Sequence, residues 1–292
     1  MKIQEVKMAT FFNQASLSFN GNVVNSNVTE AELLVGLEIT KTPITATYTA
    51  GGNIVYAVAV RNAGGTAYDS LTLVDDLGTY TLPGGGSATP LTYVADSLVY
   101  YLDGVLQPTP TVITGIGLTV DGIDLPGGST ALFIYEAQAN EFAPIAAGSS
   151  ITNTASTDGG VGVGEISASA TVTVREAPSL TIAKAVCPAI VNDNDLITYT
   201  VIVQNLGNVA VVATDGVVIS DVFNPILSDL TVTLDGETLA EGTGYTYNEL
   251  TGEFATVNGA ITVPAATYTV DPESGIITTT PGVTVLTVTG RI

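Results

Sequence analysis

The chain repeats itself once, and a repeat constrains domain boundaries more firmly than any single strand assignment. LEITKTPI (Leu37 to Ile44) matches LTIAKAV (Leu180 to Val186), and GGNIVYAVAVRNAGG (Gly51 to Gly65) matches DNDLITYTVIVQNLGN (Asp193 to Asn208). That second match pairs Tyr56 with Tyr199 and Asn62 with Asn205. LTLVDD (Leu71 to Asp76) matches VVISDV (Val217 to Val222), Leu102-Asp103-Gly104 matches Leu234-Asp235-Gly236, and TALFIYE (Thr130 to Glu136) matches VTVLTVTG (Val283 to Gly290). The first copy then runs on through ITNTAST (Ile151 to Thr157), a Gly-rich turn at Asp158 to Gly160, and ISASATVTV, whereas the second stops at Ile292.

A stretch on the plan of that missing hairpin stands at the opposite end: FFNQASLSF (Phe11 to Phe19), the turn Asn20-Gly21-Asn22, and VTEAELLV (Val28 to Val35). Asn13 precedes Lys41 by 28 residues and Asn153 precedes Lys184 by 31, so each hairpin leads the next domain by nearly the same interval. The expected organisation is a donor hairpin over 1–36, a complete sandwich over 37–176 and an incomplete one over 177–292. A domain open at one edge exposes apolar core and unpaired backbone, which is a template for an added strand. Because donor and acceptor lie at opposite ends, such a contact between copies is heterologous and propagates as a filament. The competing expectation is that residues 1–36 fold back and close their own second domain as a monomer.

Composition agrees with an all-β chain: 46% hydrophobic residues, 31 Gly and 13 Pro, in short Val-, Ile-, Thr- and Tyr-rich runs between turn residues. Net charge is −21, from 28 acids and 7 bases, which argues against nucleic acid and anionic membrane surfaces as partners. With no His, no Ser-His-Asp or Cys-His nucleophile and no His-ligated metal centre can be built, and no cofactor is expected. The single Cys, Cys187, reads as a loop or half-buried thiol beside Pro188. No stretch is long enough to span a bilayer, and no secretory signal or sorting tail is visible.

Strand alternation then places polar residues in apolar rows. Leu37, Ile39 and Lys41 share a face, as do Leu180, Ile182 and Lys184; Leu71, Leu73, Asp75 and Leu77 share one, as do Val217, Ile219, Asp221 and Phe223. Asn153 sits between Ile151 and Ala155, and Asn13 lies in the row Phe11, Asn13, Ala15, Leu17, Phe19. An ammonium, a carboxylate and an amide buried separately would each cost several kcal/mol, so they are tolerable only together. Desolvation lowers a lysine's pKa toward the nucleophilic neutral amine, and a carboxyl alongside can shuttle protons. Attack of such an amine on an Asn carboxamide releases ammonia and leaves a Lys-Asn isopeptide cross-link.

A strand ending in Lys, then Gly-x-x-(I/V)-x-Tyr-x-(I/V)-x-(I/V)-x-Asn-x-Gly, a strand with Asp and an Asn-x-Ala strand together resemble the bacterial surface repeat called domain of unknown function eleven. That family is similar to the immunoglobulin-like sandwiches of Gram-positive adhesins and pilins that carry internal Lys-Asn isopeptide bonds assisted by Asp or Glu. The resemblance implies two tandem immunoglobulin-like β-sandwiches, with Lys41 joined to Asn153 and Asp75 as catalyst; Glu136 is the alternative acid. In the second copy Lys184 and Asp221 match, and Asn13 is the only Asn left on plan, so that bond would join neighbouring subunits. The expected protein is a cross-linked homopolymeric filament on a cell or spore surface, not an enzyme with an external substrate. The alternative is a monomeric adhesin or stalk module.

Three weaker patterns read as structure. Gly159 to Gly164 lacks the strand-to-helix setting of a dinucleotide loop. Asn192 to Asp195 lacks the twelfth-position Glu of a calcium loop. Tyr93, Tyr100 and Tyr101 read as cross-strand packing rather than as a binding patch.

Overall fold

A computed structural model describes residues 8–19, 21–34, 36–158 and 164–292. Asn20, Val35 and most of the turn after Asp158 lie outside the described residues, as does the Phe11 side chain. The fold is all-β as expected, its described helical content being one 3-10 turn at Ala213–Asp215. Two compact units are present, the first comprising 1–144, 150–173 and 272–275, the second 145–149, 174–271 and 276–292.

Unit 1 is a sandwich of two antiparallel sheets. One runs Val105–Gln107, Val99–Leu102, Thr130–Ala139, Asn53–Asn62, Leu37–Pro43, with Leu91–Tyr93 also paired to Thr130–Ala139. The other runs Thr111–Thr114, Leu118–Leu125, Tyr68–Asp75, Ser150–Asp158, Glu165–Val174, Thr47–Tyr48. Period-two alternation explains the core: Ile54, Tyr56, Val58 and Val60 point inward from one sheet and are met by Leu71, Leu73, Val120 and Ile151 from the other, all buried. Tyr100 stacks on Phe133 with centroids 4.9 Å apart, and Tyr93 lies 6.4 Å from Tyr135, so these aromatics pack as the sequence suggests.

Unit 2 repeats half of this plan. Its larger sheet runs Leu180–Cys187, Leu196–Asn205, Gly282–Arg291, Ser228–Leu234, Glu237–Thr238, and its smaller one holds Ser220–Val222, Glu253–Thr256 and Tyr245–Tyr247. The core includes Val201, Val203, Phe223, Phe254, Ile261, Leu286 and Val288. In unit 1 the strand ending at Asp75 lies between Leu118–Leu125 and Ser150–Asp158. Among the described residues of unit 2, Ser220–Val222 pairs with Glu253–Thr256 on one edge and with nothing on the other.

The N-terminal segment forms a hairpin with an interruption. Met8–Asn13 pairs with Thr29–Leu34 and Ser16–Phe19 with Asn22–Asn25, while Gln14 and Ala15 fall between the two ladders. The irregularity has a local cause, because two residues on one arm face three on the other, Gln14 and Ala15 against Ser26, Asn27 and Val28. Ser26 holds the surplus: its Oγ accepts from the Ala15 N–H at 3.0 Å and its carbonyl accepts from Gln14 Nε2 at 2.8 Å. The row expected as one strand from Phe11 to Phe19 is thus two short strands. Gly21 turns the hairpin at φ +78, a conformation open to glycine. Cys187 ends a strand and is exposed, where the sequence suggests a loop or half-buried thiol: every residue of Leu180–Cys187 is exposed.

Candidate functional site

Three strands carry the polar cluster of unit 1. Lys41 stands on Leu37–Pro43, Asp75 ends Tyr68–Asp75, and Asn153 stands on Ser150–Asp158. Ala155 pairs directly with Asp75, which puts the inward Asn153 one step along the same face. The register is latched by Asp76, whose N–H donates to the Thr154 carbonyl at 2.9 Å while its Oδ1 accepts from the Thr154 N–H at 2.9 Å.

All three polar residues are buried. The side chains of Lys41 and Asp75 are 0% and 2% exposed, and Lys41 Nζ donates to Asp75 Oδ2 at 2.5 Å. Asp75 Oδ2 also accepts from Tyr135 Oη at 2.5 Å, and Oδ1 accepts from the Leu77 N–H at 3.0 Å. Asn153 Nδ2 donates to Tyr135 Oη at 3.3 Å, so hydrogen bonds run without a break from Lys41 through Asp75 and Tyr135 to the Asn153 amide. Among the described residues, the buried Asn153 Oδ1 and Tyr56 Oη make no hydrogen bond of ordinary length. The Tyr56 and Tyr135 rings wall the site, their centroids 5.8 Å apart, with Nζ 5.0 Å from the first and 6.0 Å from the second.

Burial pulls the Lys41 pKa below its ordinary value, against the attraction of Asp75, and this moves the amine toward its nucleophilic form. Burial first, and then the Asp75 charge, pushes the Tyr135 hydroxyl well above its usual range, so it remains a proton donor. Sequence reasoning missed Tyr135. The signal was available: Tyr135 shares the inward row of Ala131 and Phe133, and a tyrosine in a core row needs a partner for its hydroxyl. Glu136, the alternative acid, points to the other face, where its carboxylate accepts from Asn53 Nδ2 at 2.9 Å on the surface.

Asn62 and Asn205, matched by the repeat but given no role from sequence, are buried clamps. Asn62 Nδ2 donates to the carbonyls of Thr66, Leu125 and Pro126, and Asn205 Nδ2 to those of Val209 and Pro264. Each Oδ1 accepts a backbone N–H two residues on, from Gly64 and Gly207. They hold loops and take no part in the cluster.

In unit 2, Lys184 Nζ donates to Asp221 Oδ2, and Nζ lies 4.5 Å from the Tyr199 ring and 5.3 Å from that of Phe223. The two residues therefore meet as their counterparts do, but their side chains are 41% and 24% exposed. Asn13 stands on the N-terminal hairpin, exposed, with Ala15, Leu17 and Phe19 exposed alongside; Leu17 is 67% and Phe19 70% exposed.

No family model matches the chain, and no curated protein matches it. The resemblance to the bacterial surface repeat is thus carried by the motifs alone. Similar solved structures include pilins and adhesins of Gram-positive bacteria. The major pilin subunit BcpA of Bacillus cereus is 14% identical, with 96% of this chain and 74% of that one covered and a TM-score of 0.35. A 35 kDa C-terminal fragment of the major pilin GBS80 of Streptococcus agalactiae is 12% identical, covering 84% of this chain and 91% of that one at a TM-score of 0.35. The collagen adhesin of S. aureus is 10% identical, covering 58% and 78% at a TM-score of 0.31.

Proposed function

We propose that the protein is a structural subunit of an extracellular filament on a cell or spore surface, assembled head to tail from copies of itself by donor-strand complementation. One observation carries the reading: the Lys184–Asp221 pair stands beside an unpaired strand edge, while a hairpin bearing Asn13 displays Phe12, Leu17, Phe19, Val23 and Val24 to solvent. Apolar side chains on a two-stranded ribbon gain little from their own pairing, and such a ribbon is marginal alone. Docked on the open edge of another copy, it would bury that surface and bring Asn13 to Lys184 as Asn153 is brought to Lys41. Lys41 then links to Asn153 within unit 1 and Lys184 to Asn13 between subunits, each with loss of one ammonia and with Asp75 or Asp221 handling protons. The protein turns over no external substrate.

Electron microscopy of purified protein and denaturing gels test this together. The parent should form filaments that survive boiling in detergent, deletion of residues 1–20 should abolish filaments, and Lys184→Ala should give filaments that detergent dissolves. A deletion variant that still polymerises overturns the donor assignment, and a detergent-resistant Lys184→Ala fibre overturns the cross-link between subunits. The second reading is a monomeric adhesin or stalk module, favoured by an open cleft of about 560 Å³ in unit 1 lined by Leu91, Tyr93, Asp96, Val112 and Asn140. It predicts a monomer whether or not residues 1–20 are present.

A further inference from the structure

We infer that Tyr135 is a catalytic residue of the unit 1 cross-link: its hydroxyl relays a proton from Asp75 to the departing amide nitrogen of Asn153. This rests on the cross-linking reading above. The geometry places Tyr135 between the two groups, and the relay reverses both hydrogen bonds once Asp75 has taken the lysine proton and Nδ2 has become an amine. Tyr135 Oη donates to Asp75 Oδ2 and accepts from Asn153 Nδ2, so a single oxygen bridges the acid and the leaving group. Asp75 Oδ2 is also the atom that Lys41 Nζ meets, at 2.5 Å.

The step balances along that chain. Lys41 gives one proton to Asp75, and its freed lone pair forms a bond to Asn153 Cγ as the carbonyl π pair moves onto Oδ1. Tyr135 then passes its hydroxyl proton to Nδ2 and takes the one held by Asp75. The Cγ–Nδ2 pair leaves with the nitrogen as ammonia, and the Oδ1 pair re-forms the carbonyl. Nζ, having carried three hydrogens, keeps one, and its remaining proton returns to Asp75. Amide nitrogen is a poor leaving group unless protonated, so the relay acts where the barrier lies.

The hydrogen-bond pattern also orients the carboxamide. By holding Nδ2, Tyr135 turns the carboxamide so that Oδ1 makes no hydrogen bond of ordinary length among the described residues. Tyr56 provides an internal comparison. Its ring packs beside that of Tyr135, but Asp75 Oδ2 is met by Lys41 and Tyr135 and not by its hydroxyl. Among the described residues, unit 2 has no hydroxyl at the matching position: Val288 pairs with Tyr199 where Tyr135 pairs with Tyr56.

The test follows the full chain after pulsed cell-free synthesis, digesting at fixed times and quantifying the branched Lys41–Asn153 peptide by mass. Tyr135→Phe keeps the ring and removes the relay, and should slow formation of the branched peptide on the order of 100-fold or more. Tyr100→Phe, which removes a hydroxyl from a buried ring stacked on Phe133 outside the cluster, should change it less than about twofold. Fluorotyrosine incorporated at position 135 keeps the bond network with a more acidic hydroxyl, and should shift the pH profile of the rate; a packing role would leave that profile in place. Equal rates for the parent and Tyr135→Phe overturn the relay while leaving the cross-link standing. A parent chain that never forms the branched peptide overturns the cross-linking reading itself, and the relay with it.

Discussion

The two Lys–Asp pairs are the same motif under two covers. On Leu37–Pro43 the inward Leu37 is buried and Lys41 is sealed, whereas all eight residues of Leu180–Cys187 are exposed and Lys184 is reached by water. The difference is strand Ser150–Asp158, which lies beside Asp75 and has no described counterpart beside Asp221. Pairing of the charges therefore does not need the third strand, but desolvation does. Chemistry that depends on a neutral amine is available in unit 1 within one chain, and in unit 2 only once something covers the pair.

Amine modification breaks or sharpens that comparison with the largest effect. In an Asn153→Ala background, where Lys41 cannot be protected by an amide bond, an acylating reagent should modify Lys184 readily. Lys41 should react at least about a thousandfold more slowly, because access requires opening of the core. Comparable rates, read by peptide mapping, would show that the two covers do not differ. Next in size is the energetic contrast. In the same Asn153→Ala background, Asp75→Ala leaves an unpaired buried ammonium and should destabilise unit 1 by about 3–5 kcal/mol in urea unfolding. Asp221→Ala removes a half-exposed partner and should cost under about 1 kcal/mol. Adding Lys41→Met to Asp75→Leu should restore much of the unit 1 loss, since an apolar pair needs no compensation.

Much of this was legible because alternation in strands is strict. Leu71, Leu73 and Asp75 do share a buried row, and Ile151, Asn153 and Ala155 do line one face, so Lys41, Asp75 and Asn153 could be placed without coordinates. What the pattern could not carry was pairing across sheets. Tyr135 lies 60 residues from Asp75, and only the facing of two sheets brings its hydroxyl to the carboxylate. Alternation also failed at Gln14 and Ala15, where the Ser26 hydroxyl and carbonyl satisfy the backbone and side chain of an irregular step that a row of apolar residues does not announce. The exposure of Cys187 was hidden for a related reason: burial depends on what covers a strand, and cover is a property of other segments.

The smallest expected effect is the most diagnostic of desolvation, because it tests the cause rather than the presence of the pair. Burial holds the Lys41 pKa below the 10.5 of an unfolded chain, outweighing the opposing pull of Asp75. Between the two values the unfolded chain binds more protons than the folded one, so unit 1 should gain stability as pH rises through that window. Buried tyrosines impose the opposite sign above it. Tyr48, pushed up to about 12 by burial, and Tyr135, raised further by the Asp75 charge, contribute stability that is fully present below about 10 and lost as pH rises through their folded values. Urea midpoints of unit 1 in the Asn153→Ala background should therefore climb as pH rises toward 10 and then fall. Lys41→Met should flatten the climb and leave the fall, and a climb that survives this substitution would mean that the sealed amine is not its source.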